Sequence, residues 1–202
     1  ALIRDYLSPN GLVVSIQNGF NEEAIARSID PSRVLGCIAS TLGVEIQGPG
    51  HVARTYSPGG SAYNVFRVGE LHSRVTSRVN GIVELLRKVD SATPTTNLWG
   101  ERWSKIVANS ISNPLSAITG LRDKEMGLNP DIRKLSIRLG AEAVAVGQAL
   151  GFTLVPILGI EPDRWVAAGR GEGLEQLDRY LTKVGERATE QGRPSTPLDI
   201  QL

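Results

Sequence analysis

Short apolar runs broken by polar, glycine-bearing turns fill the first half of the chain, and helical periodicity fills the second. GLVVSIQN, residues 11–18, follows Pro9-Asn10 and ends at Asn18-Gly19. Its length and β-branched content predict a buried parallel strand. Asn21, then the acids Glu22 and Glu23, predict a helix start, where carboxylates complement the macrodipole. VLGCIAST, residues 34–41, is a second apolar run. The turn-like clusters Gln47-Gly48-Pro49-Gly50 and Ser57-Pro58-Gly59-Gly60 flank HVARTY and predict hairpins, an antiparallel addition to a parallel sheet. Apolar residues at 75, 79, 82, 83, 86 and 89 predict a helix. Beyond residue 97, NLWGERWSKIVANSISN, DIRKLSIRLGAEAVAVGQALG and EGLEQLDRYLTKVGERATEQ all carry helical patterns, and SATPTTN reads as the junction before them.

The predicted architecture is α/β over residues 1–96, followed by an all-α region over 97–202. A strand–helix–strand ending at a polar turn is half of a doubly wound sheet, so the front of the architecture is expected to lie upstream of Ala1. LIRDYLSPN reads as the tail of a helix feeding a strand.

Composition narrows the classes. The 202 residues carry 22 Lys plus Arg and 21 Asp plus Glu, a net charge of +1 that argues against a nucleic-acid partner. One cysteine excludes an intramolecular disulfide framework, and Cys37, inside an apolar run, reads as a buried thiol; a cytoplasmic location is expected. His51 and His72 lack acidic or cysteine partners at ligand spacing, so no metal site is expected. No membrane partner is expected either: the most apolar stretch, residues 141–160, contains Glu142, Gln148 and Pro156 and reads as a core helix followed by a loop. Gly169-Arg170-Gly171-Glu172-Gly173 has the wrong spacing for a dinucleotide fingerprint.

The informative constellation is Lys105, Asn109 and Asn113. Residues four apart advance by about 40° around a helix and about 6 Å along it, so the three share one stripe. Trp99, Trp103, Ile106, Val107, Ser110 and Ile111 fall on the other side, and both tryptophans are expected in the helical core. Asn is a poor interior helix residue, which points to a polar wall with a specific task. Pro114 is expected to end the helix at Asn113. An ammonium can protonate a developing alkoxide, and carboxamides can hold hydroxyl or keto oxygens. An ordinary solvated face accounts for the same pattern.

ERWSKIVANSISNPLSAITG closely resembles the signature of the ketopantoate reductases (2-dehydropantoate 2-reductases), in Trp103, Lys105, Asn109, Asn113-Pro114-Leu115 and Gly120. Ile16-Gln17-Asn18-Gly19 with Asn21-Glu22-Glu23, VLGCIAS with GPGHV, and PSTPLDI at 194–200 extend the likeness along the chain. The family's N-terminal glycine-rich loop and its late substrate-binding glutamate have no counterpart in these residues. The resemblance implies the C-terminal part of a Rossmann-type NADP-binding domain over 1–96 and the helical substrate domain over 97–202. It implies NADPH-dependent reduction of a 2-keto acid, ketopantoate or a relative, with Lys105 as general acid. Asn109, Asn113 and Ser195 would bind substrate, and Asn18 and Gly19 would contact the cofactor. It allows a homodimer. A β-hydroxyacid-type dehydrogenase and a non-catalytic interaction module are the alternatives.

Overall fold

The computed structural model describes residues 2–40, 42–54, 57, 58 and 63–188. The chain divides into two compact units, Ala1–Arg102 and Trp103–Leu202.

The first unit is α/β. A short 3-10 turn over Leu2–Tyr6 leads to β1 (Val13–Ser15), α1 (Glu22–Ser28) and β2 (Val34–Ala39). A hairpin follows, β3 (Val44–Gly48) and β4 (His51–Arg54), then β5 (Phe66–Glu70), α2 (Ser77–Leu86) and β6 (Ala92–Thr95). Four strands form one sheet in the order β1-β2-β5-β6, and the hairpin is a separate two-stranded sheet. β1 is parallel to β2, β2 antiparallel to β5, and β5 parallel to β6. The expected mixture of parallel and antiparallel pairing is present, but β5 supplies it within the main sheet. Neither β5 nor β6 stood out in the sequence: FRVGE lacks a long apolar run, and Ala92–Thr95 lies in the stretch read as a junction.

Register assigns the sheet's two faces. Leu35, Cys37, Val68, Phe66 and Ala92 point to the side where Val79 and Val83 of α2 complete an apolar core. Ser15, Gly36, Gly69 and Thr95 lie on the opposite face. There the first turn of α3 (Leu98–Thr119) lies directly on the backbone. A Cβ on Gly36 would sit 2.6 Å from Leu98 Cδ1, and one on Gly69 would sit 3.1 Å from Leu98 Cβ. Two glycines aligned across β2 and β5 therefore make the floor on which a helix can rest.

The second unit is all helical: the rest of α3, α4 (Asp123–Leu128), α5 (Pro130–Ala149), α6 (Pro162–Gly169) and α7 (Leu174–Arg187). α5 begins where the Asn129 side chain accepts from the amides of Asp131 and Ile132 at 3.0 and 3.2 Å, with Pro130 in the first turn. Its core joins Val107, Ile111, Ile137, Val144, Ile157, Ile160, Trp165, Ala168, Leu177 and Leu181. Small residues allow close helix contact: a Cβ on Gly140 would lie 2.6 Å from the Trp165 ring, and one on Gly127 would lie 2.5 Å from Gly185 Cα. No described helix is long and apolar enough to cross a membrane.

α3 does not stop at Asn113. It runs through Pro114 to Thr119. Proline removes one helical N–H and crowds the preceding turn. Ile111 and Leu115, both almost fully buried, anchor the helix on either side of it. The buried Ser136 hydroxyl donates to the Ile111 carbonyl at 3.1 Å, tying that turn to α5. Tertiary packing thus overrides the local stop signal.

Candidate functional site

Two groups of predicted site residues lie in different units. In the first unit, Asn18 and Gly19 follow β1 at its carboxyl end, where open α/β sheets bind ligands. Asn18 is exposed; Gly19 is buried and has φ +83°, a conformation glycine adopts without strain. Asn21 occupies the cap position of α1, but its side chain makes no cap. Its Nδ2 instead donates to the Asn18 carbonyl at 2.6 Å.

Beneath this connection lies a buried ion pair between Glu22 and Arg102. Both side chains are almost wholly excluded from solvent. Arg102 also donates to the Gln17 carbonyl at 2.5 Å and to the Ser15 carbonyl at 2.8 Å. Glu22 is therefore more than the dipole-complementing acid expected from its position, a role that exposed Glu23 is free to keep. Trp99, three residues before Arg102, stacks on Phe20 with ring centroids 5.7 Å apart, and its indole donates to the Leu71 carbonyl at 3.0 Å. Trp99 thus packs in the α/β unit and not in the helical core.

A second acid–arginine pair sits on the same sheet face. Glu101 pairs with Arg67 of β5 and accepts from the Thr95 hydroxyl at 2.5 Å. Arg67 also donates to Ser40 Oγ at 3.1 Å. Cys37 is buried on the other face, and burial pushes its thiol up to about 11, with Arg102 and Arg67 opposing the shift. Such a thiol is an inert core residue. Glu70 lies at the far end of β5. Burial raises its carboxyl, but hydrogen bonds from Arg78 Nε and the Thr76 hydroxyl, each at 2.6 Å, win and hold it below the ordinary range. His72 lies in the surface turn beside it, 3.8 Å from Glu70. An open cavity of about 450 Å³ is found at the β6 edge, against Asn64, Arg87 and Asp90, and none of the predicted site residues lines it.

In the second unit, Lys105, Asn109 and Asn113 are each half-buried along α3. The Ser112 hydroxyl lies 3.4 Å from Asn113 Oδ1. The opposite side of the helix carries the core. Val107, Ile111 and Leu115 are buried there, and Ser104 Oγ accepts from the Val155 amide at 2.9 Å. Trp103 enters this core as expected: its indole donates to the Ala143 carbonyl at 2.8 Å and stacks on Phe152. The stripe is therefore a wall of one ammonium and two carboxamides, backed by rigid packing, able to deliver a proton and to bind oxygens. Ser195 lies outside the described residues.

Arg102 was not anticipated from the sequence, and Trp99 was expected in the helical core rather than in the α/β unit. The three-residue spacing that puts both on one helical face was the available signal.

Comparison with known families gives two matches. The model described as "Ketopantoate reductase PanE/ApbA C terminal" matches residues 97–201, and that described as "Ketopantoate reductase PanE/ApbA" matches residues 1–64. A 2-dehydropantoate 2-reductase of Archaeoglobus fulgidus is 31% identical over 144 residues, covering 70% of this chain and 46% of that protein. One of Mesorhizobium japonicum is 29% identical over 129 residues, 63% of this chain and 37% of that protein. The chain thus matches less than half the length of these curated relatives. The crystal structure of 2-dehydropantoate 2-reductase from Methylococcus capsulatus superposes with a TM-score of 0.64 at 22% identity, covering 98% of this chain and 55% of that one.

Proposed function

The chain belongs to the ketopantoate reductase family, and on that premise we propose that it carries the proton-donating and substrate-holding part of an NADPH-dependent 2-keto acid reductase. The observation that carries the reading is the half-buried stripe of Lys105, Asn109 and Asn113, set opposite the packed side of α3.

The residues around Asn18 fit a nicotinamide cofactor: a left-handed glycine lets backbone approach a ligand closely, at the end of a parallel strand where such ligands bind. NADPH supplies a hydride when bound. Lys105 moves a proton from Nζ to the substrate carbonyl oxygen, which becomes the hydroxyl of the product, so no alkoxide charge is left uncompensated. Asn109 and Asn113 hold substrate oxygens through carboxamides that both donate and accept. Ser195 contributes a hydroxyl to the substrate carboxylate, and Asn18 and Gly19 hold the cofactor's ribose end. The substrate is a small 2-keto acid, ketopantoate or a relative, and the family likeness is compatible with a homodimer.

The test is steady-state kinetics with ketopantoate and NADPH on the full-length protein. Lys105→Ala lowers turnover on the order of a hundredfold or more, with little change in NADPH affinity. Unchanged turnover removes Lys105 from the chemistry. Asn109→Ala and Ser195→Ala mainly raise KM; a purely structural Asn109 lowers Tm instead and leaves kinetics alone. Calorimetric titration that finds no binding of either NADPH or NADH overturns the cofactor assignment.

A further inference from the structure

We infer that Arg102 is a positioning residue that fixes the backbone carrying Asn18 and Gly19, by holding both ends of the β1–α1 connection with one guanidinium. The cofactor role of Asn18 rests on the reading above; the geometry of the clamp does not.

The connection runs from Ile16 to Asn21. On its upstream side, Nη2 and Nη1 of Arg102 donate to the carbonyls of Ser15 and Gln17. On its downstream side, Arg102 pairs with Glu22, the first residue of α1. A planar guanidinium presents five donors in a fixed fork, so it can bind several acceptors at once, which a lysine ammonium on a flexible stem does poorly. The same helical face adds Trp99, whose ring stacks on Phe20 inside the connection. Glu101, the residue before Arg102, anchors this turn of α3 to β5 and β6 through Arg67 and Thr95. The grip therefore comes from a turn fixed to the sheet, and the sheet's Gly36 and Gly69 let that turn lie close enough to reach.

A buried ion pair is often matched in stability by apolar residues of similar volume, whereas removing one partner leaves an uncompensated charge. That asymmetry separates a structural role from a positioning role. Replacing both charges, Glu22→Gln with Arg102→Met, removes the buried-charge penalty but leaves the Ser15 and Gln17 carbonyls without their donor.

The experiment is amide hydrogen exchange at residues 16–20, with thermal unfolding, on Arg102→Met and on the Glu22→Gln/Arg102→Met double variant. The positioning role predicts that Tm falls in the single variant and recovers only in part in the double, where the Ser15 and Gln17 carbonyls stay without a donor. Exchange at 16–20 rises about tenfold or more in both, while exchange in β2 and β5 of the double variant stays as in the wild type. Wild-type exchange at 16–20 in the double variant overturns the inference, whatever becomes of its Tm. NADPH titration of the full-length double variant then reads the functional consequence, a Kd raised about tenfold with the Lys105-dependent proton step intact. If the wild type binds no NADPH, the functional reading fails while the exchange result still decides the clamp.

Discussion

The two units are built on different interiors. Among the described residues, the α/β unit buries the charged side chains of Glu22, Glu70, Asp90, Glu101 and Arg102, whereas the helical unit buries only Arg133. Arg133 sits at the rim of its core, paired with Asp178 at 2.8 Å and donating to the Gly127 carbonyl at 3.0 Å. The helical core is otherwise aliphatic side chains around Trp165, with glycines at the points of closest approach. The difference teaches how each unit is specified. Apolar packing fills volume and tolerates substitution of similar shape. Paired charges on a sheet face fix which helix turn meets which strand end, because a misplaced partner leaves a buried charge unmatched.

The contrast can be broken by experiment. The largest effects are expected from one truncation in each interior. Trp165→Ala removes the central ring of the helical core and costs about 3–5 kcal/mol. Glu22→Ala strands the Arg102 guanidinium and costs about 3–5 kcal/mol as well. The two separate in a rescue experiment followed by denaturant midpoints: adding Arg102→Met restores much of the stability lost in the Glu22 variant, while no charge change rescues Trp165→Ala. A rescue that fails would make the α/β interior a shape-packed core like the other.

A smaller cost is expected at the floor beneath α3. Gly36→Ala places a methyl group 2.6 Å from Leu98 Cδ1 and 3.0 Å from Glu22 Oε1, and overpacking of this kind costs about 1–3 kcal/mol. An unchanged urea midpoint would mean that the turn has room to lift.

The smallest effect is one of pH. The carboxyl of Glu70 is held below its ordinary range in the folded chain, so the unfolded state takes up its proton first as pH falls. The stability Glu70 contributes is therefore present above its unfolded pKa, about 4.3, and is lost as pH drops through the lower folded value. Glu70→Gln should flatten that acid limb. Stability curves of wild type and variant that run parallel below pH 5 would count against the Arg78 pair as its source.

Much of the architecture was legible in the chain. The 3.6-residue period marks α2, α3, α5 and α7, because this signal acts between residues a turn apart. The stripe of Lys105, Asn109 and Asn113 was readable for the same reason. β5 and β6 were not, since buried Gly69, Glu70 and Thr95 are small or polar and break any continuous apolar run. α4 and α6 are too short for periodicity to register.

The sequence by itself determined the long helices, the first two strands, the α/β-then-helical order and the family, because periodicity, apolar runs and motif spacing are properties of neighbouring residues. Only the tertiary structure decided that α3 continues through Pro114, that Trp99 serves the α/β unit, and that Glu22 is a buried partner rather than a surface acid at a helix start. The physical reason is range. Glu22 and Arg102 are 80 residues apart, and the free energy of a buried pair depends on partners that no local pattern contains.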